Sequence, residues 1–134
     1  MPKLDIPPGI TLEHFLSREL LASSLKVRGP SKDQILIESN SVIRIHVAID
    51  RKAKSVMFDL FSPRWSRRIT VQQLGGFDFM ESQAEEELLK QDAEIIAEDS
   101  LLAIDLIRSW GEKNEYKVEE VEPTGEIPQQ DKTR

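Results

Sequence analysis

Apolar residues change their spacing three times along the chain. Over residues 11–25, Leu12, Phe15, Leu16, Leu20 and Leu21 recur at helical intervals and predict one apolar face of a helix. Thr11 stands where an N-cap would, and Glu13 falls in the first turn, where the helix dipole favours negative charge. Gly29-Pro30 predicts a stop.

Between residues 34 and 79 the period falls to two. Ile35 and Ile37 predict a short strand, followed by the turn-prone pair Ser39-Asn40. Residues 42–49 give the cleanest alternation: Ile43, Ile45, Val47 and Ile49 on one face, Val42, Arg44, His46 and Ala48 on the other. A polar connection of hairpin length, residues 50–54, leads to Val56, Phe58 and Leu60, which alternate with Met57, Asp59 and Phe61. Pro63 ends that strand. Ile69 and Val71 predict a fourth, ended by Gly75-Gly76, with Phe77 and Phe79 covering an end of the core. Links this short favour antiparallel neighbours, because parallel strands need a longer crossover.

The helical period returns over 81–111. Leu89, Ala93, Ile96, Ser100, Ala103, Ile107 and Trp110 step by three and four, and Leu88, Ile95, Leu102 and Leu106 widen the stripe. Gly111 sits where a C′ glycine would. Tyr116 to Val121 has the makings of a short edge strand.

The expected fold is therefore α+β: an N-terminal helix, a four-stranded antiparallel β-meander, and a long C-terminal amphipathic acidic helix packed on one sheet face. The proline-rich residues 1–10 are expected to form an extended arm, 11–121 a single domain, and 122–134 a disordered tail.

Composition narrows the chemistry. The 134 residues are 39% apolar and include no cysteine, which excludes a disulfide-stapled scaffold, thiolate catalysis and Cys-ligated metal sites. No apolar run approaches the roughly 20 residues of a membrane helix. The first residues lack the apolar stretch of a signal peptide. A cytoplasmic, soluble domain without membrane contact is the expectation.

The formal net charge of −6 is unevenly distributed. Residues 81–105 hold nine acids against Lys90, a sum of −8, whereas 44–68 hold seven bases against two acids, a sum of +5. Opposite fields of this kind steer encounter and select partners. The simplest account is a solvated outer face on the long helix, with some carboxylates facing bases of the sheet; the alternative is a basic partner protein.

Catalytic signatures are scarce. His14 and His46 are the two histidines, and no Ser–His–Asp order, HExxH, EF-hand loop or phosphate-binding glycine loop accompanies them. Glu94 and Glu98, like Glu81 and Glu85, lie four apart and would hold a hard cation only weakly, so neither a metal nor another cofactor is expected. Ser62-Pro63-Arg64-Trp65-Ser66-Arg67-Arg68 is the most unusual segment. Arginine beside an aromatic ring stacks on bases and neutralises phosphates, and it also anchors protein interfaces.

These features point to a small acidic, non-enzymatic protein-binding domain of the inhibitor or immunity type, neutralising a basic partner such as a nuclease toxin. Glu85, Glu86, Glu94 and Glu98 are its expected contacts. One alternative is a nucleic-acid-binding module using Arg44, Arg64, Trp65, Arg67 and Arg68, which the acidic overall charge disfavours. Another is an accessory subunit of a larger assembly, monomeric or homodimeric.

Overall fold

The structure is a computed structural model that describes residues 6–39, 42–64, 66–76 and 87–121. Helices α1 (Leu12–Glu19), α2 (Val71–Gly76) and α3 (Glu87–Asn114) accompany strands β1 (Lys26–Ser31), β2 (Gln34–Ser39), β3 (Ile43–Asp50), β4 (Ser55–Ser62), β5 (Arg67–Ile69) and β6 (Lys117–Glu120). The class is α+β, with an N-terminal helix, one sheet and a long C-terminal helix. Among the described residues the sheet has six strands and is mixed, where four antiparallel strands were expected.

Strands β1 to β5 follow one another as antiparallel neighbours. The parallel element is β6, which pairs with the first half of β4, from Ser55↔Lys117 to Phe58↔Glu120, while β5 pairs with the second half, Leu60 to Ser62. The two short strands thus share one edge of β4. The parallel pairing obeys the crossover rule, since the chain between β4 and β6 contains β5, α2 and the 28-residue α3.

The first helix is shorter than residues 11–25. Thr11 is its N-cap, its hydroxyl accepting from the His14 N–H at 3.1 Å, but the helix closes at Leu20. Leu12, Phe15, Leu16 and Leu20 are buried; Leu21, expected on the same face, is 85% exposed because the helix has already ended. Gly29-Pro30 lies inside β1 instead of ending an element. Proline has no N–H for a ladder, and it is tolerated here because β1 is an edge strand whose register slips between Arg28 and Ser31. At Gly29 a Cβ would meet only the carboxylate end of the flexible, exposed Glu13 side chain of α1, which can swing aside, so packing alone does not demand glycine there. Val71 opens α2 instead of extending the fourth strand, and Gly75-Gly76 belongs to that helix. Phe77 and Phe79 lie outside the described residues.

Gly111 is not the C′ glycine of α3. It is buried within the helix, where a Cβ would collide with the Val118 side chain of β6. The helix closes later, by a Schellman motif. The Tyr116 N–H donates to the Gly111 carbonyl at 2.8 Å and the Glu115 N–H to the Glu112 carbonyl at 3.3 Å. Glu115 takes the left-handed conformation, φ 64°, that glycine usually supplies.

One core joins the layers. Phe15 and Leu16 of α1, Ile37, Ile45, Val47, Val56, Phe58 and Leu60 of the sheet, and Ile96, Ala103, Ile104 and Ile107 of α3 are all buried in it. Both α1 and α3 cover the same sheet face. Ile6 and Ile10 of the N-terminal arm also pack on this core.

Candidate interaction surfaces

Helix α3 buries a stripe shifted from the one its spacing predicts. Ile96, Ser100, Ala103, Leu106, Ile107 and Trp110 face inward as expected, joined by Ala97 and Ile104, whereas Ile95 and Leu102 are 52% and 44% exposed. Apolar residues occupy more than half of the helix circumference, and the sheet covers only part of that arc. Ser100 is accommodated because its hydroxyl donates back to the Ile96 carbonyl at 2.7 Å.

The outer face of α3 therefore carries two parallel rows. Ile95 and Leu102, seven residues apart, are separated by about 10 Å along the axis. Glu98 and Asp105, also seven apart and both exposed, run beside them, and exposed Glu94 flanks the first turn of the stripe. Glu85 and Glu86 lie outside the described residues. Asp99 is engaged internally: it accepts from the Ser24 N–H at 2.9 Å and the Ser24 hydroxyl at 2.6 Å. That contact pins the loop bearing exposed Leu21 against the helix.

The uncovered face of the sheet is organised in cross-strand rows. One runs Lys26, Glu38, Arg44, Phe61, Arg68; a second runs Arg28, Leu36, His46, Asp59; a third contains Ala48, Met57 and Glu119. Its charges pair locally. Arg28 donates to Glu38 at 2.6 Å, Arg44 lies 3.7 Å from the same carboxylate, and Arg68 lies 3.3 Å from Asp59. Arg44, His46, Asp59, Phe61, Ser66, Arg67 and Arg68 line an open cavity of about 550 Å³. Ser66 holds a left-handed φ of 53° at its rim.

Of the basic segment, Arg44, Arg67 and Arg68 thus converge around Phe61. Arg64 is exposed on the preceding turn and is not among the residues lining that cavity, and Trp65 lies outside the described residues. His14 is exposed on α1, away from the cavity that contains His46. The arginines and the described α3 carboxylates occupy opposite layers, and Arg28, Arg44 and Arg68 take their carboxylate partners, Glu38 and Asp59, from the sheet itself. Among the described residues, no group of three His, Asp or Glu is arranged to hold a metal ion, and no helix is long and apolar enough to cross a membrane. Helical spacing alone does not mark Ile95 and Leu102 as surface residues. The available signal at Ile95 was its place beside Glu94 and three positions before Glu98.

The chain matches no protein-family model, no curated protein and no solved structure.

Proposed function

We propose that this chain is a non-enzymatic protein-binding domain of the inhibitor or immunity type, and that its partner is a basic protein which docks on the outer face of α3. The observation that carries this reading is the exposure of Ile95 and Leu102, at 52% and 44%, among carboxylates on a rigid helix. Interfaces concentrate their energy in a few desolvated apolar anchors surrounded by a polar rim. Here Ile95 and Leu102 supply the anchors, and Glu94, Glu98 and Asp105 supply the rim and the steering field. A nuclease toxin has the cationic active site such a surface would cover.

The test compares two baits in an extract of the source cells: the intact chain and a Glu94→Lys/Glu98→Lys variant. A basic protein retained by the first and lost from the second is the expected result. With that protein purified, the reversal should slow association and flatten its salt dependence. Equal association rates at low salt would remove α3 from the account.

A second reading is favoured by the cluster of Arg44, Arg67 and Arg68 around Phe61: single-stranded nucleic acid, with a base on the ring and phosphates on the guanidiniums. Fluorescence anisotropy with short RNA and DNA at two salt concentrations separates it from the first, since phosphate binding falls steeply with salt. No binding at low salt excludes it.

A further inference from the structure

At the end of the sheet opposite the arginine cluster, a second cavity of about 440 Å³ opens between the N-terminal arm, the ends of β2 and β3, and the last turn of α3. It belongs neither to the outer face of α3 nor to the open face of the sheet, and its ligand chemistry is independent of whatever docks on α3. Six apolar or aromatic residues line it: Ile10, Leu12, Ile35, Ile49, Trp110 and Tyr116. Trp110 is held in place because its indole N–H donates to the Ile10 carbonyl at 2.9 Å. Tyr116 leans on it, with ring centroids 5.0 Å apart and planes tilted by 48°.

The mouth is cationic. Lys32, Arg51 and Lys54 line it together with the Glu13 carboxylate, and Asp33 pairs with Arg51 from outside the lining, which leaves Lys32 and Lys54 as the cations facing the opening, within a chain whose net charge is −6. The three bases come from two different turns, β1–β2 and β3–β4, that the antiparallel register brings to the same end of the sheet. Two of them are oriented by defined contacts. Arg51 Nε donates to Asp33 at 2.7 Å, and that hydrogen bond and charge hold the guanidinium more firmly protonated than usual. Lys54 takes a left-handed φ of 56°, and its ammonium lies 4.4 Å from the centroid of the Tyr116 ring, at the boundary between the apolar interior and the opening. The arm closes the remaining side through Gly9, whose φ of 79° turns the chain back over the cavity.

A cavity of a few hundred Å³ with an apolar interior and a few convergent polar groups has the dimensions of a small-molecule site. We propose that it binds a small amphipathic organic anion, an aromatic carboxylate, with its ring against Trp110, Tyr116 and Ile49 and its carboxylate between Lys32 and Lys54. Burying the ring supplies the attraction, and the two ammonium groups select an acid over a neutral compound of the same shape.

The test uses the full chain labelled with ¹⁵N, with 2-naphthoate as the probe and 2-naphthylmethanol as its neutral counterpart. Naphthoate should give saturable shifts at the Trp110 indole N–H and at the amides of Ile10, Lys32, Lys54 and Asn114. The alcohol should bind about tenfold more weakly, and Lys32→Glu/Lys54→Glu should weaken naphthoate by about tenfold or more. If that variant loses the dispersed spectrum of the folded chain, Lys32→Gln/Lys54→Gln replaces it, with a smaller loss in the same direction. The proposal is overturned by the absence of saturable shifts at millimolar probe, by shifts confined to the Arg44–Arg68 cluster, or by equal binding of the alcohol.

Discussion

The two faces of the sheet are built from the same strands by the same alternation, yet they are held to different standards. On the covered face, Ile37, Ile45, Val47, Val56, Phe58 and Leu60 are excluded from water and interlock with α1 and α3. On the open face, one residue away along each strand, Arg44, His46, Met57, Asp59 and Phe61 stay at least partly in solvent and settle their charges in local pairs. Burial stabilises at roughly 25 cal/mol per Å² of apolar surface, whereas an exposed ion pair contributes about 0–1 kcal/mol. Stability therefore resides on one face, and the other is free to vary with whatever it contacts. Helix α3 repeats the division: its inner stripe holds the fold, and its outer stripe, with Ile95 and Leu102, adds little to it.

Substitutions that cross this division should break it in graded steps. The largest effect is expected from Phe58→Ala, which empties a fully buried ring position between the sheet and α3; denaturant unfolding should show a loss of about 3–5 kcal/mol. Next is Gly111→Ala. Alanine is the better helix former by about 1 kcal/mol, yet its Cβ meets Val118, so the variant should lose about 1–3 kcal/mol and weaken the β4–β6 pairing. A gain in stability would show that α3 and β6 separate readily. On the open face, Phe61→Ala should cost about 1 kcal/mol, because the ring is only half-buried. Leu102→Gln should change stability by less than about 0.5 kcal/mol while weakening capture of the basic partner. A loss comparable to that of Phe58→Ala would place Leu102 in the core and end its role as an interface anchor.

Much of the fold was legible. The 12–16 segment, the three central strands and the body of α3 each announce themselves by a sustained period, and a single-faced burial pattern needs only that period to be read. What went unread has identifiable physical causes. β1 was hidden by Gly29-Pro30, a pair that ends most elements but is tolerated on an edge strand. The closure of α3 was placed at Gly111 because glycine is the usual left-handed cap, whereas Glu115 takes that role and Gly111 answers to the proximity of Val118. The parallel pairing of β6 joins Ser55 to Lys117 and Phe58 to Glu120 across the intervening α2 and α3, a long-range contact that no local pattern records.

The candidate surfaces divide in the same way. Of Arg44, Arg64, Trp65, Arg67 and Arg68, which the sequence groups together, the strand register brings Arg44, Arg67 and Arg68 around one cavity, Arg64 is not in its lining, and Trp65 lies outside the described residues. Ile95 and Leu102 were assigned to the core, because periodicity reports which residues share a helix face but not how much of that face a neighbour covers. The cavity bounded by Ile10, Lys32, Lys54 and Trp110 was invisible, since its residues come from four separated stretches of chain.

The order of apolar and polar residues alone determined which segments are helix or strand and which side of each turns inward, since both follow from a repeat measured over neighbouring positions. Only the folded arrangement decided which apolar residues stay wet, that Gly111 is needed for close approach, and which distant cations converge. Those depend on how far one element covers another, and coverage is set by distances between segments that the chain order does not contain.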